Sequence, residues 1–140
     1  MERTSLKRIL KGLIGAIAFN MMVELWIFIE ITYNIQWIFY IFITACMIIT
    51  VIFTKEQNIK KCLSTLVVFG ITCVAIWILV ELVKSKFEIY SRIFKFELWA
   101  GDGFTMVAIY IYSIIVVAIG SIISILASWW CQKRHCSQWK

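Results

Sequence analysis

Four apolar runs, at about 9–31, 35–54, 62–83 and 104–130, dominate this 140-residue chain. Each is close to or beyond the ~20 residues that a helix needs to cross a bilayer. A backbone in hydrocarbon must satisfy its own N–H and C=O groups, so such runs cross as helices. The sequence contains no proline that would interrupt them. Hydrophobic residues make up 62% of the chain, against about 45–50% in a typical soluble domain. The pattern predicts an all-α membrane protein: a four-transmembrane-helix antiparallel bundle forming a single integral membrane domain over 1–140. The first run is too long for a secretory signal and lacks a following small-residue cleavage site, so it is expected to be retained as the first span.

The connections refine this picture. Thr32-Tyr33-Asn34 is long enough only for a tight helical hairpin, and 55–61 is a short basic link. The one substantial link, 84–103, carries Phe87, Tyr90, Phe94 and Leu98 at helical spacing. Lys84–Glu88 and Glu88–Arg92 form i,i+4 pairs on its other side. An amphipathic outer helix is therefore expected over 84–100, either extending span three or lying in the interface. An alternating reading through Phe94, Phe96 and Leu98 stays open for its second half. Gly101-Asp102-Gly103 predicts a break, with Asp102 capping the fourth span. That span of 27 residues would measure about 40 Å, longer than a ~30 Å hydrocarbon core, so it must tilt or protrude.

Net charge is +6, but the basic residues lie in short segments flanking the apolar runs. This is the pattern of topology signals and anionic-lipid contacts, and it leaves no basic face for nucleic acid. The N-terminus holds Arg3, Lys7, Arg8 and Lys11, the 55–61 link Lys55, Lys60 and Lys61, and the tail Lys133, Arg134 and Lys140. The opposite side has only Lys84, Lys86, Arg92 and Lys95, mixed with Glu88 and Glu97. The positive-inside rule thus predicts a multi-pass protein of the cell membrane with both termini cytoplasmic. Membrane lipids, with anionic lipid at the cytoplasmic face, are the expected surroundings. The five cysteines (Cys46, Cys62, Cys73, Cys131 and Cys136) avoid the outer links, so they form no secreted disulfide framework.

Polar residues inside the spans are the candidate sites. Gly12, Ala16, Asn20 and Glu24 recur every four residues, a row running small, small, polar, acidic. Glu24 is the one acid well inside a span, and a carboxylate in hydrocarbon is a functional-site hypothesis. It is either a proton- or cation-exchanging group on a transport path, or a hydrogen-bonded acid that joins helices or meets a partner's basic residue. No lysine or arginine falls at the same depth by register. Glu30, Glu81 and Asp102 are expected at one membrane boundary, as a cation-attracting group or as ordinary interfacial polarity with Asp102 as a cap. Gly120, Ser124 and Ser128, with Ser113 and Ala127 near the same stripe, form a second small-residue packing face. Cys131, His135 and Cys136 invite a metal reading, but their spacing is not that of a zinc site.

No catalytic set is legible. His135 is the single histidine and Asp102 the single aspartate, and no Gly-x-Ser-x-Gly, HExxH or phosphate loop occurs. Neither enzymatic activity nor a cofactor or metal is expected. Size, four spans and a glutamate in the first are shared with small multidrug exporters, yet that family's surrounding signature residues are missing. The large cysteine-bearing outer loop of claudin-like proteins is missing too. Two functions remain: an accessory, regulatory or immunity-type membrane subunit acting by binding, as a homo-oligomer or with a partner membrane protein; and a small proton- or cation-coupled transporter or channel-forming oligomer using Glu24. The topology is directly testable. Protease should reach both termini only from the cytoplasmic side, and adding one lysine to the 32–34 link should weaken that bias; external cleavage of the wild-type termini refutes the assignment.

Overall fold

A computed structural model describes residues 2–33, 37–87 and 100–138. Every regular element among them is a helix: α1 (Glu2–Tyr33), α2 (Ile38–Thr54), α3 (Ile59–Phe87) and α4 (Ala100–Gln138). Three of these, through Arg3–Glu30, Ile59–Val83 and Val107–Ser137, are long and apolar enough to cross a membrane. The fourth, α2, has 17 residues, about 26 Å, which falls short of a ~30 Å core. It begins three residues after the expected start at 35, with Trp37 in a turn.

The expected break at Gly101-Asp102-Gly103 does not occur. Helix α4 already begins at Ala100, and the three residues lie within its first turn. Asp102 is therefore not the cap. Its acidic type suits that position even so, because the N-terminal turn of a helix carries partial positive charge. Of the amphipathic outer segment, 84–87 continues α3, and 88–99 lie outside the described residues.

Close approach between helices decides the packing, because lipid supplies no hydrophobic drive to bring apolar helices together. A Cβ placed on Gly15 would lie 2.5 Å from Phe53 Cβ on α2. One on Gly12 would lie 3.0 Å from Val68 Cγ1 on α3. On α4, a Cβ at Gly120 would meet Thr50 Cγ2 at 2.9 Å. The α2–α4 seam continues through a 2.6 Å bond between the Thr54 and Ser124 hydroxyls. It ends where Ser128 Oγ accepts from the Glu56 backbone N–H at 3.2 Å. Helix α2 buries its own period-four row, Phe42, Cys46, Thr50 and Thr54, and meets α4 through Thr50 and Thr54.

Aromatic side chains close the opposite end. The fully buried Trp26 of α1 stacks on Phe42 at 6.0 Å between ring centroids and meets Phe39 edge-on at 5.4 Å. Phe39 in turn meets Tyr112 of α4 at 4.8 Å. Between α1 and α3, Phe19 and Phe69 pack edge-to-face at 5.9 Å. Helices α1 and α4 do not pack equally with all neighbours: the α3–α4 seam is much thinner than α1–α2, α1–α3 or α2–α4. Helix α3 is correspondingly the least covered. Only 6% of its apolar stretch is buried, against 39% in α1 and 28% in α4.

The glycines separate internal packing from open surface. Gly70 of α3 has nothing within 4 Å of an added Cβ. Gly15→Ala should therefore destabilise the protein by about 1–3 kcal/mol through overpacking. Gly70→Ala should instead be neutral or stabilising by up to about 1 kcal/mol, through lower helix-backbone entropy in the unfolded chain. Thermal unfolding of the two variants in one detergent compares them; equal effects refute the packing.

A cleft between three helices

The thin α3–α4 seam opens into a cleft of about 240 Å³ against α1. Phe19, Asn20 and Val23 line it from α1; Gly70, Cys73, Val74 and Trp77 from α3; and Tyr110, Ser113, Ile114 and Val117 from α4. The lining is almost wholly apolar, with Asn20, Cys73, Tyr110 and Ser113 as its polar residues. Ser113 Oγ donates to Ile109 O of its own helix at 2.8 Å, which is the inexpensive way to hold a hydroxyl in a span. Asn20 Nδ2 donates to Ala16 O at 2.9 Å, and Cys73 lines the same cleft. A carboxamide offers two donor hydrogens and an acceptor oxygen with two lone pairs, so this bond leaves part of its capacity uncommitted.

The row Gly12–Ala16–Asn20–Glu24 is thus divided by the fold. Gly12 and the fully buried Ala16 are packing residues, Asn20 lines the cleft, and the half-buried Glu24 is not among the described residues lining it. Glu24 makes an interaction of its own within the chain.

Glu30 and Glu81 are each held by an aromatic donor. The Trp26 indole N–H donates to Glu30 Oε2, one turn further along the same helix, at 2.5 Å. The Tyr110 hydroxyl donates to Glu81 Oε1 across the α3–α4 seam, where its ring also packs against Trp77 at 5.4 Å. The side chain of Asp102 lies outside the described residues. Among those described, no group of three or more His, Cys, Asp or Glu side chains is placed to hold a metal, and this includes Cys131, His135 and Cys136 on the last turns of α4.

Gly120, Ser124 and Ser128 all face α2 or the link after it, so the second packing face serves the chain's own assembly. The cleft itself is what sequence reasoning missed. Of its polar lining Asn20 stood out as a candidate site and Ser113 only as a neighbour of the Gly120 stripe, whereas it lines the cleft; Cys73 and Tyr110 are unremarkable types in an apolar helix. Gly70 was a visible signal, a lone glycine mid-span that no hairpin or cap requires. Comparisons with protein-family models, curated proteins and solved structures find no match.

Thiol accessibility tests this geometry. Cys136 is exposed, Cys73 and Cys131 are half-buried, and Cys46 and Cys62 are buried. Alkylation in mild detergent, followed by mass mapping, should modify Cys136 first and Cys73 well before Cys46 or Cys62. Early labelling of Cys46 refutes the placement of α2.

Proposed function

We propose that the protein is a non-enzymatic multi-pass membrane subunit that works by binding, and that the cleft between α1, α3 and α4 receives a transmembrane helix of a partner polypeptide or of a second copy. In this reading the four helices form an antiparallel bundle in the cell membrane with both termini cytoplasmic. Contacts of Lys11 with Glu56, Gly15 with Phe53 and Trp26 with Phe39 support opposed directions for α1 and α2. The short α2 crosses with modest local thinning of the bilayer, which costs only fractions of a kcal/mol per ångström of mismatch.

The observation that carries the proposal is Gly70. Glycine in a membrane helix permits close backbone approach. Gly12, Gly15 and Gly120 use that allowance within the chain, whereas the space over Gly70 is open. Asn20 lines the same cleft with bonding capacity to spare, and an interhelical carboxamide contact in lipid contributes about 1 kcal/mol. At about 240 Å³ the space lies below the ~300–1,000 Å³ of ordinary small-molecule sites. It suits interdigitating side chains better than a drug-sized substrate.

A photo-crosslinker at Asn20 or Gly70 in native membranes tests this. A polypeptide adduct is expected, and it should be lost in Gly70→Leu and Asn20→Leu variants that retain the wild-type helical signal. Adducts to lipid alone overturn the reading. The transport alternative rests on Glu24 and has its own assay: pH-dependent flux into proteoliposomes that Glu24→Gln abolishes. We expect no such flux from the wild type.

A further inference from the structure

A second recess, separate from the cleft, lies where the start of α1 meets the α2–α3 link. It has a volume of about 300 Å³ and is lined by Thr4, Lys7, Arg8, Lys11, Glu56 and Lys61. The Lys11 ammonium is occupied: it donates to Lys55 O at 2.7 Å and to Glu56 Oε1 at 3.2 Å. Its charge is balanced there, and the pair fixes one wall by tying α1 to the link. The other three cations are not balanced. Among the described residues, no carboxylate stands within ion-pairing distance of Lys7, Arg8 or Lys61. Arg8 uses its Nε toward Thr4 O at 3.4 Å. Lys61 sits in the first turn of α3, whose N-terminal dipole adds positive potential to the same recess.

Three uncompensated cations converging on a walled recess form an anion site, and its chemistry is that of phosphate: charge-assisted donors from a guanidinium and two ammoniums. Its position selects the source. The recess lies at the polar end of α1, immediately before the apolar residues from Ile9 onward. The α3 end of the recess is tied to the end of α4 by a 3.5 Å bond from Ile59 N–H to Gln132 Oε1. One turn from Gln132, Trp129 and Trp130 carry Lys133 and Arg134 over their rings at 5.3 Å. Tryptophans of this kind mark headgroup level, and basic pockets between membrane helices take phosphorylated headgroups.

We propose that this recess binds the phosphate of an anionic lipid headgroup, held by Lys7, Arg8 and Lys61 with Lys11–Glu56 as its rigid wall. The full chain, purified in a neutral detergent, is titrated with phosphatidic acid, with glycerol 3-phosphate and with phosphatidylcholine, and bound lipid is read by native mass spectrometry. Phosphatidic acid should be retained and phosphatidylcholine should not. Lys7→Gln combined with Lys61→Gln should weaken retention about tenfold or more. Lys133→Gln combined with Arg134→Gln removes the same charge from the same face, outside the recess, and should change it less than about threefold. Equal losses for the two pairs mean diffuse surface attraction and overturn the proposal, as does retention of phosphatidylcholine equal to that of phosphatidic acid. Glycerol 3-phosphate binding as tightly as the lipid overturns the headgroup as the source. Circular dichroism of both double variants should match the wild type, since all four substituted residues are exposed.

Discussion

The arrangement depends on the approach of α4 to α2 at Gly120 and Thr50. In lipid, two apolar helices gain little from meeting unless their backbones come close and their polar groups bond across the seam. Both conditions hold here within two turns. Gly120 leaves space for Thr50, and one turn further Thr54 and Ser124 share a 2.6 Å hydroxyl bond. Thr50 and Thr54 also bond to carbonyls one turn back, with Thr50 Oγ1 2.9 Å from Cys46 O. Each hydroxyl is therefore satisfied before the helices dock, and docking adds a contact without exposing a polar atom to lipid. Gly15 against Phe53 plays the same part between α1 and α2.

The two ends of the bundle are held by different chemistry. Around the α2–α3 link, small residues and hydroxyls bring backbones together, and Lys11–Glu56 pins α1 to that link. At the other end, the rings of Trp26, Phe39, Phe42 and Tyr112 fill the space between α1, α2 and α4. The acids at this end take their donors from aromatic side chains, Trp26 for Glu30 and Tyr110 for Glu81. A neutral N–H or O–H donor satisfies a carboxylate oxygen with a hydrogen bond from a largely apolar ring, so each acid is tied to the aromatic packing of its own helix or the next one.

Much of this was legible in the sequence, for a physical reason: lipid forces helices, and apolar length counts them. The small-residue faces were legible too, because Gly12–Ala16 and Gly120–Ser124–Ser128 repeat every four residues. Their partners were not. Cys46, Thr50 and Thr54 carry the same period on α2, but threonine and cysteine in a span also read as ordinary back-bonded residues. The break at Gly101–Gly103 was misread because glycine penalises a helix interior more than a first turn, where the N–H groups have no intrahelical partner in any case. The cleft depends on which seam is left thin, and that is a property of three helices at once, which no single periodicity encodes.

The α1–α3 seam decides how the two recesses relate. Both are walled by these helices: the basic one by Lys7, Lys11 and Lys61, the apolar one by Asn20, Gly70 and Cys73. Between them the seam is shut. Val68 lies against the backbone at Gly12, Ala16 is fully buried, and Phe19 and Phe69 interlock edge-to-face. An ion moving from the basic face to the level of Asn20 or Glu24 would have to part these residues, and Gly12 and Ala16 offer no side chain whose rotation could open the way. The two recesses therefore stand apart on one helix pair, each open to its own surroundings and neither to the other.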